Sequence, residues 1–121
     1  CNINIIKDPV DIYLNLAKSG LGIFAAGVVS YESAGLGTPC LNISMSDFHS
    51  KRCQEIEDLG FGINLGNISS LPDSLIGHKI ESLTKDIYSL EKMRAKGIQF
   101  VDGKGSFRIV KELKKYLELY S

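Results

Sequence analysis

The chain has no surplus of charge, no long apolar run and no paired set of cysteines, and each absence removes a class of function. Fourteen lysines and arginines balance fourteen aspartates and glutamates over 121 residues. Without a basic cluster there is no electrostatic footprint for a phosphate backbone, so nucleic acid is excluded as the main partner. No apolar run approaches the ~18–20 residues that span a bilayer, so no transmembrane segment is expected. No signal-peptide pattern is present. Three cysteines, Cys1, Cys40 and Cys53, make an odd count without a short pairing, which points to a reducing, cytoplasmic compartment. No Cys/His set has metal-site spacing, and neither a metal nor another cofactor is expected. Internal repeats, low-complexity tracts and flexible linkers are also missing.

What remains is the composition of a soluble globular domain, 44% hydrophobic and 23% charged, long enough for one core. Residues 1–121 are expected to form a single domain. Cys40 lies in an apolar run and Cys53 in a helical pattern, and both read as packing residues. The chain opens on Cys1 with a strand expected almost at once, as in a piece of a longer protein.

Four short apolar runs recur, at Ile3–Ile6, Leu21–Ala25, Cys40–Ile43 and Phe61–Leu65. None alternates apolar with polar, so they suit strands buried on both faces of a parallel sheet. Helical spacing separates them. After Asp8 as N-cap and Pro9 in the first turn, Val10, Tyr13, Leu14 and Ala17 share a face up to Ser19-Gly20. From Ser50 to Leu59, Cys53, Ile56 and Leu59 repeat, and Gly60 ends the helix. Beyond Gly66 the pattern is helical: one helix from Leu71-Pro72-Asp73 to about Ile87, a second to Lys96, and a last one from Phe107 to about Leu119. In that last helix Ile109, Val110, Leu113, Tyr116, Leu117 and Tyr120 form a packing stripe. The expected fold is therefore α/β: a Rossmann-like parallel sheet of about four strands flanked by helices, with a helical C-terminal end.

In such a fold an anion binds where a strand's carboxyl end opens a helix, because free N–H groups and the helix dipole meet it there. Gly35-Leu36-Gly37 and Gly20-Leu21-Gly22 precede strands and so fall at the opposite edge. Ala26-Gly27-Val28-Val29 passes, with Gly27 allowing a sharp exit and close approach of a ligand. Glu32 follows about one and a half turns into the helix, where a carboxylate can accept from a sugar diol. Position alone leaves open a plain tight turn at Gly27 and a solvated acid at Glu32. The second loop on this edge is Ser44-Met45-Ser46-Asp47-Phe48-His49. Its hydroxyls, carboxylate and imidazole suit a phosphate or sugar, and equally suit a helix cap beside an exposed histidine. His78 reads as a surface or boundary residue, and Glu55, Glu57 and Asp58 as a solvated helical face. An acidic cluster at the strand ends, as a phospho-acceptor receiver domain needs, is missing.

The stretch "AAGVVSYESAGLGTPCLNIS" resembles the signature of the C-terminal domain of GT-B glycosyltransferases. The likeness is greatest to the branch of the peptidoglycan N-acetylglucosaminyl transferase and its hydrolase relatives. There a glycine-rich turn is followed by a glutamate, here Glu32, and by a Gly-x-Pro step, here Gly37-Thr38-Pro39. "DFHSKRCQEIEDLGFGINLG" is similar to the family's next helix and strand. "FVDGKGSFRIVKEL" is similar to the ending of UDP-sugar hydrolases of nonulosonic (pseudaminic-type) acid biosynthesis and of spore-coat polysaccharide proteins.

The resemblance implies half of a GT-B fold, lacking the N-terminal domain that carries the catalytic base. It implies a UDP-sugar as substrate, with Ala26, Gly27, Val28, Val29 and Ser30 against the diphosphate. Glu32 would hold the ribose, and Ser46, Asp47, Phe48 and His49 would approach the sugar or diphosphate. The chain departs from the family pattern at Ala26, at Val28-Val29 and at Phe48-His49. Backbone N–H groups, with Ser30 as the hydroxyl, then remain as donors. The implied activity is hydrolysis of a UDP-diacetamido-trideoxyhexose. Glycosyl transfer and a non-catalytic binding or scaffold role are the alternatives.

Overall fold

Short apolar runs separated by helices leave little choice but parallel pairing, since each strand must return to the same edge before it starts. The structure is a computed structural model that describes residues 2–121. It pairs β1 (Gly22–Phe24), β2 (Cys40–Ser44) and β3 (Gly62–Asn67) as a parallel sheet in the order β1-β2-β3. Gly22 lies opposite Cys40, and Cys40 opposite Gly62, so the strands start level and their carboxyl ends share one rim. Near that rim Asn42 faces Asn64 but Ser44 faces Asn67, so β3 carries one extra residue. Gly66, at φ +96°, takes the left-handed conformation this bulge requires.

The sheet is covered on both faces. On one, Cys40 packs with Ala26, Ala34, Cys53, Ile56 and Phe61 beneath α2 (Val28–Gly35) and α3 (Asp47–Leu59). On the other, Leu41, Ile43, Ile63 and Leu65 pack with Ile76, Ile80 and Leu83 of α4 (Asp73–Lys85). This double burial explains why β2 lacks alternation, whereas in the edge strand β1 the apolar Ile23 is exposed. Each fully buried Leu, Ile or Phe contributes ~1.5–3 kcal/mol. α5 (Ile87–Phe100) closes the amino rim: positions 35, 37 and 60 lie against Val101, Ile98 with Arg94, and Lys96.

Several expectations are corrected. Ile3–Ile6 forms no strand, and Ile3 and Ile5 are 84% and 82% exposed; a run this short holds strand geometry only against a partner. The first helix, α1 (Ile12–Lys18), starts later than Pro9 because Asp11, not Asp8, caps it, accepting the Leu14 N–H at 3.0 Å. None of its residues is buried, so its expected apolar face stays largely exposed. α3 begins earlier than Ser50, because Ser46 is the cap. Asp86 ends α4 and caps α5, which runs on to Phe100.

The largest departure is α6 (Gly105–Leu119). Its expected packing stripe, Ile109, Val110, Leu113, Tyr116, Leu117 and Tyr120, is at least half exposed throughout, and no residue of the helix is buried. Periodicity specifies which face a helix would bury, not that a partner is present. Cys40 and Cys53 are free and buried, as their packing role requires, whereas Cys1 lies outside the described residues. Among the described residues no helix is long and apolar enough to cross a membrane.

Candidate functional site

Because β1 and β2 are parallel neighbours, the turns that leave them are neighbours too. After Phe24 the chain bends at Ala26, whose φ of +55° places a buried alanine in left-handed space. That costs roughly 1–2 kcal/mol in an L-residue. The bend was expected at Gly27, but Gly27 is extended (φ −92°, ψ −162°) and serves as the N-cap of α2. A Cβ there would meet nothing within 4 Å, so the space over the turn is open.

Gly27 supplies no side-chain cap. The first N–H groups of a helix have no carbonyl of their own turn to bind, so those of Val28 and Val29 remain as donors. Val28 is 68% exposed and Val29 is half-buried. Ser30 does not reach the rim: it is buried and donates to Asn42 Oδ1 at 2.7 Å. Asn42 in turn donates through Nδ2 to Cys40 Sγ at 3.2 Å. Burial pushes the Cys40 thiol up to about 11, against which the Asn42 hydrogen bond acts only partly.

The start of α3 is built differently. Ser46 Oγ accepts the His49 N–H at 3.4 Å and lies 3.3 Å from His49 Nδ1. Asp47 sits exposed in the first turn, where its charge already complements the helix dipole. Phe48 is 70% exposed, with the Arg52 guanidinium 5.3 Å from its ring centroid and the His49 ring edge-on at 5.8 Å. Ser44 is buried and accepts from Ser50 Oγ at 2.9 Å. One rim therefore carries two helix N-termini: α3's is capped and has an acid in its first turn, α2's is uncapped.

Glu32 stands further along α2, half-buried, and its Oε1 accepts the Tyr13 hydroxyl of α1 at 3.1 Å. Both side chains line a hollow of about 630 Å³, bounded further by Leu36, Ile98, Val101 and the 102–104 loop. The hydrogen bond to Glu32 raises the Tyr13 phenol above its ordinary ionisation range. In that loop Asp102 takes two hydrogen bonds from Arg108, each 2.8 Å, and one from the Lys104 N–H at 2.9 Å. Arg108 holds the Asp102 carboxyl well below the usual carboxylate range. The Asp, Gly and Arg of "DGKGSFR" thus form a clasp at the base of α6, with Gly103 at φ +73°.

The structure brings Ala26–Val29 and Ser46–His49 to one rim, sets Glu32 in the wall of a hollow, and turns Ser30 inward. His78 is exposed, as its place in α4 suggested. Sequence reasoning missed two residues that organise this region, the buried Asn42 beneath the rim and Tyr13 beside Glu32. Asn42 was signalled by its position as the polar residue inside the buried run "CLNIS". Tyr13 gave no local signal, since its meeting with Glu32 spans 19 residues. Among the described residues no group of three or more His, Cys, Asp or Glu is placed to hold a metal ion.

No family model, curated protein or solved structure matches this chain.

Proposed function

We propose that the chain is the donor-binding domain of a GT-B-type nucleotide-sugar enzyme acting in the cytoplasm on cell-surface polysaccharide precursors. The observation that carries this reading is the uncapped N-terminus of α2, opened by Gly27 on the rim it shares with Ser46–His49. The diphosphate of a UDP-sugar receives the Val28 and Val29 N–H groups, and Glu32 accepts from the ribose hydroxyls. Cleavage at an anomeric carbon proceeds through an oxocarbenium-like transition state with a departing diphosphate. Fixed N–H dipoles at a helix start stabilise the charge that develops on that leaving group. Water as acceptor gives a UDP-sugar hydrolase, the reading that the Asp102–Arg108 segment favours by its resemblance. A glycan as acceptor gives an N-acetylglucosaminyl-type transferase.

The catalytic base belongs, in this reading, to an N-terminal domain of the same protein. The 121 residues alone bind UDP weakly and turn nothing over. An amide NMR titration tests this: UDP is expected to shift Gly27, Val28 and Val29, with a weaker response in Glu32→Ala. Robust hydrolysis of a UDP-sugar by this chain alone would contradict the division of labour.

One observation favours a second reading, a scaffold that keeps the fold without binding nucleotide. The exposed Val28 and the inward-turned Ser30 leave the α2 turn without a hydroxyl donor. A charge-assisted hydrogen bond is worth ~1.5–3 kcal/mol, so its loss is large for a weak site. Absence of any UDP-induced shift in wild type and Glu32→Ala alike selects the scaffold.

A further inference from the structure

A helix with a continuous apolar stripe and no covered residue leaves its hydrophobic free energy unrealised, and a contiguous exposed apolar face of that kind marks an interaction surface. α6 is such a helix: each of its six stripe residues is at least half exposed, over fifteen residues and ~22 Å of length. The stripe is also held out in a fixed direction. Asp102 takes two hydrogen bonds from Arg108 and one from the Lys104 N–H, which ties the base of the helix to the loop before it. A face ordered before it binds loses less entropy on binding.

Area and charge narrow what covers it. Two tyrosines, two leucines, an isoleucine and a valine can remove roughly 600–800 Å² per copy from water, within the range of a standard stable interface. A groove of about 490 Å³ beside Ile109, Leu113 and Tyr116 gives room for an incoming side chain. On the polar side Arg108 is held by Asp102 and Lys115 by Glu112. Lys111, Lys114 and Glu118 form no ion pair among the described residues. Two positive charges against one negative give little attraction to an anionic bilayer. Lys114 and Glu118 border the same edge of the stripe. An antiparallel pair brings that edge against its own copy, so Lys114 of one helix meets Glu118 of the other, twice over. A parallel pair instead sets Lys114 beside the apolar Ile109 and Tyr116, and crowds both bodies at the end of α6 where they attach.

We propose that a second copy of this chain covers α6, the two helices pairing antiparallel with Leu113 of each against Leu117 of the other. The pairing is independent of the nucleotide-sugar reading. Sedimentation equilibrium of the full chain tests it, with circular dichroism to confirm that each variant is folded.

Wild type is expected to show a monomer–dimer equilibrium with a Kd of about 1–100 µM. Leu113→Glu leaves the buried core untouched and acts twice per interface, so it should weaken the dimer about a hundredfold or more. Lys114→Glu and Glu118→Lys each set like charges across the shared edge and should weaken it about fivefold, whereas the two together restore opposite charges and the wild-type affinity. A chain that stays monomeric at about 0.5 mM overturns the proposal, whether or not it sediments with phosphatidylglycerol vesicles. So does an open-ended series of larger species, or a dimer that Leu113→Glu leaves intact. Single charge changes without effect, or a double exchange that fails to recover their loss, overturn the antiparallel arrangement.

Discussion

Substituting Gly97 by alanine presses on the closest approach between helices in this fold. α5 crosses α2 there, and a Cβ at position 97 would lie 2.8 Å from the Ala34 carbonyl oxygen, 3.1 Å from its Cα and 3.2 Å from its Cβ. All three atoms belong to a short residue in a helix, so no rotamer change relieves the contact. α5 must retreat by roughly half an ångström, and overpacking of this kind costs ~1–3 kcal/mol. The better helix propensity of alanine returns ~1 kcal/mol. The expected net change is a loss of about 0–2 kcal/mol. Gly77→Ala is the matched control: Gly77 is exposed in α4, nothing lies within 4 Å of its Cβ position, and only the propensity gain of ~1 kcal/mol applies. Urea unfolding followed by circular dichroism reads both. The propensity gain is common to both, so with a slope of ~1–2 kcal/mol per molar the Gly97→Ala midpoint should fall about 0.5–3 M below that of Gly77→Ala. Equal stabilisation of both variants would mean that α2 and α5 do not meet as described. The hollow beside Glu32, which uses Ile98 and Val101 as walls, would fail with them.

Two further outcomes follow from the buried network. Ser30→Ala leaves Asn42 Oδ1 without its 2.7 Å donor in a buried site and should cost ~1–3 kcal/mol in urea unfolding, with UDP affinity unchanged; a stable variant that binds UDP more weakly would place the Ser30 hydroxyl at the rim after all. Cys40 holds its proton up to about 11 when folded, whereas an ordinary thiol releases it near 9.0, so its contribution is complete below about pH 9 and is lost as pH rises towards 11. That amounts to about 2–3 kcal/mol, and Cys53, also raised by burial, acts in the same direction. Urea midpoints at pH 8 and pH 10.5, in wild type and Cys40→Ala, check it: the variant should lose distinctly less on the alkaline side, and parallel losses would show that Cys40 is not the titrating group.

The parts of this fold legible in the sequence are those fixed by local chemistry and by burial on two sides. "GIFAA", "PCLNIS" and "FGINLG" announced parallel strands, with burial on both faces nearly complete only in β2, since Ile23 of the edge strand β1 is exposed; Gly60, at φ +87°, ended α3 as expected. Ile3–Ile6 carries the same apolar signal and forms no strand, because strand identity depends on a neighbour's N–H and C=O groups as much as on side chains. The stripe of α6 has the same lesson at the helix scale. The left-handed turn could be placed to within one residue but not assigned: glycine at 27 is the obvious candidate, yet Ala26 takes the positive φ. Its buried methyl packs in the sheet-side cluster, and that packing offsets the backbone strain.

The question of which glycine-bearing or hydroxyl-bearing loop meets an anion reduces to what already occupies each helix start. At α3, an incoming phosphate must compete with Ser46 Oγ for the His49 N–H and approach the carboxylate of Asp47, a like charge in the same turn. At α2 it displaces only solvent, because Gly27 brings no side chain and no acid lies in the first turn. The absence of a side-chain cap, which with glycine at the N-cap weakens the α2 start by only a few tenths of a kcal/mol, is the same absence that leaves its N–H groups unpaired. The strain at Ala26 fits that arrangement, since the bend there carries the chain from β1 into α2. Under the proposed function, the small stability forgone at the α2 turn and the affinity available there have a common origin, while at α3 the Ser46 cap and the Asp47 carboxylate already occupy the helix start.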